Sequence, residues 1–267
     1  MFGAIIGDIV GSRFEFHNRK QKDFVLFDRS CTFTDDTVMT LAVAEALLTW
    51  DRSADLKLFQ QALVRTMHEV GQRHPDCGYG GRFLTWMMDG LTEPYGSYGN
   101  GSAMRVSPVA WAAGSLEECQ ALAAAAAAVT HNHPEGIKGA VAVASMIYLA
   151  RTGHPMEELR AYARQYYPLD LTLDEIRPDY DFNETCQGSV PQALEAFLES
   201  TSFEDAIRNA VSIGGDSDTI GAITGSIAES FYGIDEDMKE TALSYLTGDL
   251  LDIAERFETR FLDGDPA

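Results

Sequence analysis

The chain of 267 residues is poor in basic side chains. It carries 20 lysine and arginine residues against 41 aspartate and glutamate residues, which gives a formal net charge of −21. No run or stripe of basic residues occurs along the chain, and a field of this sign repels polyanions. We therefore expect the protein to bind neither nucleic acid nor an anionic membrane surface.

Cysteines are few, and long apolar runs are absent. Cys31, Cys77, Cys119 and Cys186 form no Cys-x-x-Cys pair, which argues against a zinc ribbon or a disulfide framework and fits a reducing compartment. The apolar start has no cationic leader, and no uninterrupted apolar run reaches the length of a membrane span. We expect no signal peptide, no membrane span and a cytoplasmic location.

Strand signals are also scarce. Period-two alternation of β-branched and polar residues hardly appears, whereas helical patterns cover most of the chain. With 45% apolar residues the chain can bury a sizeable core, and many folds of this length are one unit. We predict an all-α fold.

Individual helices follow from the apolar spacing. Leu56–Val70 is predicted as an amphipathic helix with Gly71 as its C-cap, and Met238–Phe261 as one helix followed by a frayed tail at residues 263–267. The polar segment from His154 to Gly188 contains three prolines. We interpret its later part as an irregular excursion that could cover a binding cleft.

Glycines recur at a spacing of four in two helix-like segments. They are Gly3, Gly7 and Gly11 in the first segment, and Gly221 and Gly225 in the second. Small residues at this spacing share one helix face and let a second backbone approach closely, so we predict that the two helices are buried and pack on each other. Asp8 would then lie in the core, bonded to a neighbouring helix start or supporting a metal site.

Two distant stretches, Phe33–Thr37 and Ser212–Gly225, crowd carboxylates and hydroxyls at predicted helix starts. Their side chains are Thr34, Asp35, Asp36, Asp216, Asp218 and Thr219. One reading is a pair of acidic N-caps, but a cap uses one side-chain oxygen per helix. The other reading is one or two hard divalent cations between the helix starts, because Mg²⁺ and Mn²⁺ bind such oxygens.

Three further features are candidates for ligand contacts. The glycine-rich segment Tyr98–Pro108 leads into a helix pattern that suits phosphate, although it lacks the lysine of a P-loop. His131 and His133 could bind zinc, but no further ligand lies near in sequence, so we expect His131 to bond a ligand or the neighbouring loop. Glu15 is either a solvated loop acid or an acid near the pocket.

Five motifs occur in register over roughly positions 3 to 233. They are Gly7-Asp8-x-x-Gly11, Thr34-Asp35-Asp36-Thr37, Gly99-Asn100-Gly101-Ser102-Ala103-Met104-Arg105, Thr130-His131 and Gly214-Gly215-Asp216-Ser217-Asp218-Thr219. In this order and at these separations they resemble the ADP-ribosylglycohydrolase family, which includes dinitrogenase-reductase-activating glycohydrolase.

The resemblance implies a compact orthogonal helical bundle, with residues 1–267 as a single domain and a cleft that holds two divalent cations, Mg or Mn. The metal ligands that it implies are Thr34, Asp35, Asp36, Asp216, Asp218 and Thr219. It implies Asp35 and Glu15 as catalytic residues, of which one or the other orients the attacking water or transfers the proton. The residues that it implies as contacts to ADP-ribose are Gly99, Asn100, Gly101, Ser102, Met104 and His131.

The resemblance implies hydrolysis of the glycosidic bond between ADP-ribose and an acceptor. The partner would be an ADP-ribosylated protein modified on arginine, or a small-molecule ADP-ribose conjugate. The alternatives are serine-linked substrates, free compounds such as O-acyl-ADP-ribose, and a non-catalytic, crystallin-like binder of ADP-ribose. Acidic helix starts that act as caps alone remain the plainest alternative.

Overall fold

The computed structural model describes residues 1–262, and they form an all-α fold, as predicted. Within these residues there is no β-sheet; an isolated bridge joins Gly99 to Thr185. The helices are α1 (Phe2–Ser12), α2 (Asp35–Thr49), α3 (Leu56–Gly71), α4 (Gly81–Met88), α5 (Gly101–Met104), α6 (Ser107–Ala112), α7 (Leu116–Ala128), α8 (Pro134–Arg151), α9 (Met156–Ala163), α10 (Leu173–Ile176), α11 (Cys186–Leu198), α12 (Phe203–Ile213), α13 (Ser217–Tyr232), α14 (Glu236–Leu243) and α15 (Gly248–Phe261).

The two helices that begin at the acidic stretches are central to the core. Every residue of α13 from Ser217 to Glu229 is buried, and so is α2 from Asp36 to Ala44. The apolar side chains are dense around both helices, so neither has a polar outer face. The polar first turns of α2 and α13 therefore lie inside the molecule, where their carboxylates need partners.

Helix α1 packs antiparallel against α13 through the predicted glycine face. A Cβ atom added to Gly7 would lie 2.0 Å from the carbonyl oxygen of Gly221, and one added to Gly3 would lie 2.1 Å from that of Gly225. A Cβ atom at Gly11 would lie 2.4 Å from the oxygen of Ser217. The backbones touch along three helical turns, and α1 ends beside the start of α13.

Two predicted helix boundaries were wrong. Gly71 is not the C-cap, because it is the last residue of α3 and Gln72 is the C-cap. Its missing side chain makes room for Met87, whose sulfur would lie 2.2 Å from a Cβ atom there. The predicted single helix Met238–Phe261 is two helices, α14 and α15. The second begins after Thr247, whose extended backbone interrupts the helix. The predicted frayed tail at 263–267 lies outside the described residues.

The excursion between α9 and α11 contains the short helix α10 and reaches the acidic helix starts. The Tyr180 ring packs on Gly215, where an added Cβ would lie 2.4 Å from the ring edge. The exposed rings of Phe182 and Phe16 stack with centroids 6.3 Å apart. Among the described residues, no helix combines the length and the apolarity that crossing a membrane requires.

Candidate metal centre and substrate loop

Asp8 connects α1 to the start of α2. Its carboxylate accepts hydrogen bonds from the amides of Thr34 (2.9 Å) and Thr37 (3.1 Å), and from the hydroxyl of Thr34 (2.8 Å). Burial is the main cause that raises the pKa of Asp8 to about 6, against the lowering effect of these bonds. The predicted bond between Asp8 and a neighbouring helix start is confirmed.

The first turns of α2 and α13, 183 positions apart in sequence, meet directly. The Thr219 hydroxyl donates to Asp36 Oδ2 (3.1 Å), and the Thr219 amide donates to Asp218 Oδ1 (3.0 Å). All three residues are buried. Asp36 and Asp218 therefore lie on the same side of the molecule and face one site.

Glu15 follows α1 and lies beside these carboxylates. We call the carboxyl groups of Glu15, Asp35, Asp36, Asp216 and Asp218 the acidic cluster. One carboxylate oxygen each from Glu15, Asp216 and Asp218 lie within 4.8 Å of one another. The carboxyl group is half-buried, and burial together with the charges of Asp218 and Asp8 raises the pKa of Glu15 to about 8. The structure places Glu15 beside the two aspartates, and its role as a catalytic acid stays a prediction.

Asp35 lies at the edge of the cluster. Its amide donates to the Cys77 carbonyl (2.7 Å), and its Oδ1 is 3.6 Å from the position a Cβ atom would take at Gly78. Burial, followed by the charges of Asp218 and Asp8, raises the pKa of Asp35 well above its usual range. Thr34 keeps a capping role, because its hydroxyl accepts from the Asp36 amide (3.3 Å).

The cluster fits a hard divalent cation better than it fits helix caps alone. Asp216 is the N-cap residue of α13 but makes no side-chain capping bond, and buried Asp36 Oδ1 has no hydrogen-bond partner. Burial and neighbouring carboxylates raise the pKa values of Asp36 and Asp218 well above their usual range. Within residues 1–262, no lysine or arginine pairs with the cluster carboxylates. Buried carboxylate oxygens that have no positively charged partner are suitable ligands for Mg²⁺ or Mn²⁺.

The turn that carries Asp216 needs glycine. Gly214 and Gly215 have φ angles of +76° and +72°, which side chains rarely adopt. The Asn18 side chain fixes the turn by accepting from the Gly215 amide (2.8 Å) and donating to its carbonyl (3.0 Å). The backbone thus turns sharply just before Asp216, directing both carboxylates of the motif toward the cluster.

The glycine-rich loop is tied to the acidic cluster. The Asn100 side chain donates to Asp216 Oδ2 (2.6 Å) and to the Ser189 hydroxyl (3.1 Å), and the Asn100 amide donates to the Glu184 carbonyl (2.8 Å). The Met104 sulfur lies 3.8 Å from the Thr219 hydroxyl. Asn100 and Met104 thus contact residues at the start of α13. Their contact with substrate stays a prediction.

The other residues of the glycine-rich loop offer backbone amides, rather than side chains, for contact with a ligand. The Ser102 hydroxyl is occupied, since it donates to the Gly136 carbonyl (2.7 Å). Within residues 1–262, the amides of Gly101 and Ser102 form no hydrogen bond, whereas the Gly99 amide donates to the Ser97 hydroxyl (3.2 Å). Two free amides at a glycine turn can bind an anion.

The two histidines have different surroundings. His131 is buried beside the loop, with Nε2 3.3 Å from the position of a Cβ atom at Gly101. Burial, together with the charges of Arg105 and Arg82, lowers the pKa of His131 well below its usual range. His133 instead caps α8, where Nδ1 accepts from the Glu135 amide (3.2 Å). The pair does not form a zinc site.

Several residues of the site were missed in the sequence. Asn18 and Tyr180 sit in segments that look like surface loops, and nothing near them indicates that they meet Gly215. Arg105 stands inside a recognised motif, yet nothing in its spacing shows that its guanidinium is buried. Only the fold brings these side chains to the site.

Known proteins resemble this chain over most of its length. A model of the ADP-ribosylglycohydrolase family matches residues 1–266. Human ADP-ribosylhydrolase ARH3 is 26% identical, with 93% of this chain and 89% of that protein covered. ADP-ribosyl-[dinitrogen reductase] glycohydrolase of Rhodospirillum rubrum is 28% identical over 88% of this chain and 84% of that protein.

Two more relatives add to the comparison. ADP-ribosylarginine hydrolase Tri1 of Pseudomonas putida is 29% identical, with 88% of this chain and 70% of that protein covered. A solved structure, an ADP-ribosylglycohydrolase-related protein complex, superposes with a TM-score of 0.67 and 26% identity over 97% of this chain and 96% of that one. The chain belongs to the ADP-ribosylglycohydrolase family.

Proposed function

We propose that the protein is a metal-dependent hydrolase that cleaves the glycosidic bond between ADP-ribose and an arginine side chain on a protein, releasing ADP-ribose. The convergence of Asp36, Asp218 and Glu15 carries the proposal. The glycine-rich loop is joined to that cluster by the bond from Asn100 to Asp216. A sugar held at the cluster can therefore continue into a diphosphate at the loop.

Two divalent cations, Mg or Mn, would be held by the oxygens of Thr34, Asp35, Asp36, Asp216, Asp218 and Thr219. When bound, they supply the positive charge that orients the distal ribose and activates water for attack on its anomeric carbon. Asp8 keeps the Thr34 hydroxyl in place for this set. The family's dependence on metal and the unpaired Asp36 oxygen support this assignment.

The carboxylates of the chain then act on the sugar. As the bond to the acceptor breaks, the anomeric carbon gains positive charge, which nearby carboxylates stabilise electrostatically. Glu15 lies beside Asp216 and Asp218, where its carboxyl group can deliver a proton to the departing acceptor as a general acid. We assign the orientation of the attacking water to Asp35.

The diphosphate is proposed to lie on the loop from Gly99 to Met104. The free amides of Gly101 and Ser102 can donate to its oxygens, with His131 beside them. The negative overall charge of the protein opposes an anionic ligand. Local donors and the cations would offset that repulsion, so binding of ADP-ribose should weaken when divalent ions are removed.

Arginine is favoured as the acceptor by two observations. The names of two relatives, the Tri1 protein and the dinitrogen reductase glycohydrolase, place one on ADP-ribosylarginine and the other on a modified protein. Phe16 and Phe182 form an exposed aromatic pair next to Glu15, and a guanidinium stacks well on such rings. Serine-linked and free ADP-ribose compounds are the second candidate class.

One assay separates these possibilities. The full chain is incubated with Mg²⁺ or Mn²⁺ and arginine-linked, serine-linked and O-acyl ADP-ribose substrates, and released ADP-ribose is measured. We expect release from the arginine conjugate, lost after chelation and in Asp35→Ala and Asp216→Ala, but retained in the exposed control Asp89→Ala. Undiminished release from both cluster variants would refute the site, and binding without release from any substrate would indicate a non-catalytic member. The cytoplasmic location stays a prediction.

A further inference from the structure

A buried arginine lies behind the glycine-rich loop. Arg105 is 1% exposed, and its Nη2 donates to the Thr130 hydroxyl (2.8 Å). Among residues 1–262 it forms no ion pair with a carboxylate, and its Nε has no acceptor. A buried cation without a counter-ion is costly, so packing alone does not account for its presence.

The bond from Arg105 fixes the direction of the next one. An arginine can only donate, so one lone pair of the Thr130 oxygen is occupied. That oxygen lies 2.8 Å from Nδ1 of His131. Thr130 is fully buried, and no other acceptor for its hydroxyl is present among the described residues. The Thr130 hydroxyl proton therefore points at Nδ1, which must be unprotonated to accept it.

A neutral imidazole with unprotonated Nδ1 carries its proton on Nε2. Nε2 of His131 has no acceptor among residues 1–262, and it faces the loop, 3.3 Å and 3.6 Å from the Cβ positions at Gly101 and Gly99. A second ring proton is disfavoured by burial and by the charges of Arg105 and Arg82. The Tyr95 ring, 6.2 Å away, is the other ionisable group beside it.

We propose that Arg105 and Thr130 are positioning residues that hold His131 in the Nε2–H tautomer, so that this N–H donates to a phosphoryl oxygen bound at the Gly99–Gly101 turn. The inference rests on the proposed function, which puts the diphosphate of ADP-ribose at this loop. The order of donation, from Arg105 through Thr130 to His131, gives the site a neutral donor that keeps its direction across neutral pH.

The tautomer can be read without any ligand. In the full chain with ¹⁵N-labelled histidine, the His131 nitrogens are assigned by comparison with His131→Asn. We expect an unprotonated Nδ1 and a protonated Nε2 that stay unchanged between about pH 6 and pH 8, and a shift of the Nε2 resonance when ADP-ribose is added. A proton on Nδ1, or a doubly protonated ring in that range, would overturn the proposal.

Substitution of Thr130 tests the relay by function. Thr130→Val keeps the shape but removes the hydroxyl, so we expect ADP-ribose affinity to fall by roughly 10- to 100-fold, with KM changing more than kcat. Thr130→Ser keeps the hydroxyl and should retain affinity. Thr66→Val, which removes a buried hydroxyl bonded to the Ala42 carbonyl, is the matched control and should bind normally.

The outcomes separate the relay from the proposed function. Wild-type affinity in Thr130→Val, or equal losses in the valine and serine variants, would contradict the relay. If the wild-type protein bound no ADP-ribose at all, the proposed function and the phosphoryl contact would both fail. The ring tautomer in the ligand-free spectrum would still decide whether Arg105 and Thr130 orient His131.

Discussion

At the scale of single residues, the acidic cluster is a set of buried charges without counter-ions. Asp36 is the clearest case, since one of its oxygens accepts from Thr219 and the other has no partner. Burial without a cation raises carboxyl pKa values, whereas a bound cation lowers them. The residues of the site are therefore arranged for a ligand that the polypeptide itself does not provide.

Replacing one cluster carboxylate should separate activity from stability. In Asp36→Asn we expect the release of ADP-ribose to fall by more than about 100-fold, because loss of outer partners of a metal already costs about 10- to 100-fold. The same change removes a buried like charge, so the metal-free protein should unfold at a higher temperature than the wild type. Thermal unfolding in chelator and the hydrolysis assay measure the two effects. A variant that is less stable than the wild type and fully active would contradict both expectations.

The raised carboxyl pKa values give a pH dependence of known sign. The folded metal-free protein binds more protons than the unfolded chain between the unfolded carboxyl pKa of about 4 and the folded values, which are about 6 for Asp8 and Asp216 and about 8 for Glu15. Its stability is greatest below that window and falls as pH rises through it. In chelator, Tm should therefore drop from about pH 5 to pH 8, and the gain on adding Mg²⁺ should grow.

Net charge also destabilises the protein as pH rises, so a control is needed for this trend. Asp36→Asn keeps most of the net charge but removes one cluster titration, and its Tm should depend less steeply on pH. Identical slopes for Asp36→Asn and the wild type would show that the cluster does not control the effect.

At the scale of elements, α1 positions both acidic helix starts. Asp8 holds the start of α2, and Gly11 lies against the start of α13. Glu15 follows directly after α1 and so reaches Asp216 and Asp218. The metal-site geometry thus depends on how closely α1 and α13 approach, which the paired glycines allow.

A methyl group in that contact should be damaging. In Gly7→Ala the new Cβ would lie 2.0 Å from the Gly221 carbonyl oxygen, and a backbone atom cannot rotate away. We expect a loss of about 3 kcal/mol in the free energy of unfolding, the upper part of the range for overpacking, measured by denaturant unfolding. Gly248→Ala, with nothing within 4 Å of the new atom, is the control and should change stability by no more than about 1 kcal/mol. Equal effects in the two variants would contradict the packing argument.

The sequence predicted those elements whose signal is local. Spacing of glycines indicated the α1–α13 contact, and two acidic helix starts indicated the cluster, because both patterns lie within a few consecutive residues. The break between α14 and α15 was missed, since the segment around Thr247 has no proline and its helix pattern runs on. Met87 packs against Gly71 only once α4 has folded onto α3, so the sequence around Gly71 does not indicate this contact.

At the scale of the whole molecule, the site is assembled from segments near both ends of the chain and from the glycine-rich loop between them. Asn18 and Tyr180 contact the Gly214–Gly215 turn from two sides, and the buried Arg105 lies behind the glycine-rich loop. Nothing in the local sequence of these three residues indicates such contacts, because their partners are far away along the chain. The family resemblance supplied the ligand set, and the fold supplied the side chains that orient it.

The account depends on the acidic cluster binding two divalent cations. The most direct test is titration of the chelator-treated full chain with Mn²⁺, with free and bound ions counted by electron paramagnetic resonance. We predict two bound Mn²⁺ per chain with magnetic coupling between them, fewer in Asp36→Asn and in Asp218→Asn, and no change in the exposed control Asp89→Asn. Wild-type protein that binds no Mn²⁺, or variants that bind two ions as the wild type does, would contradict it.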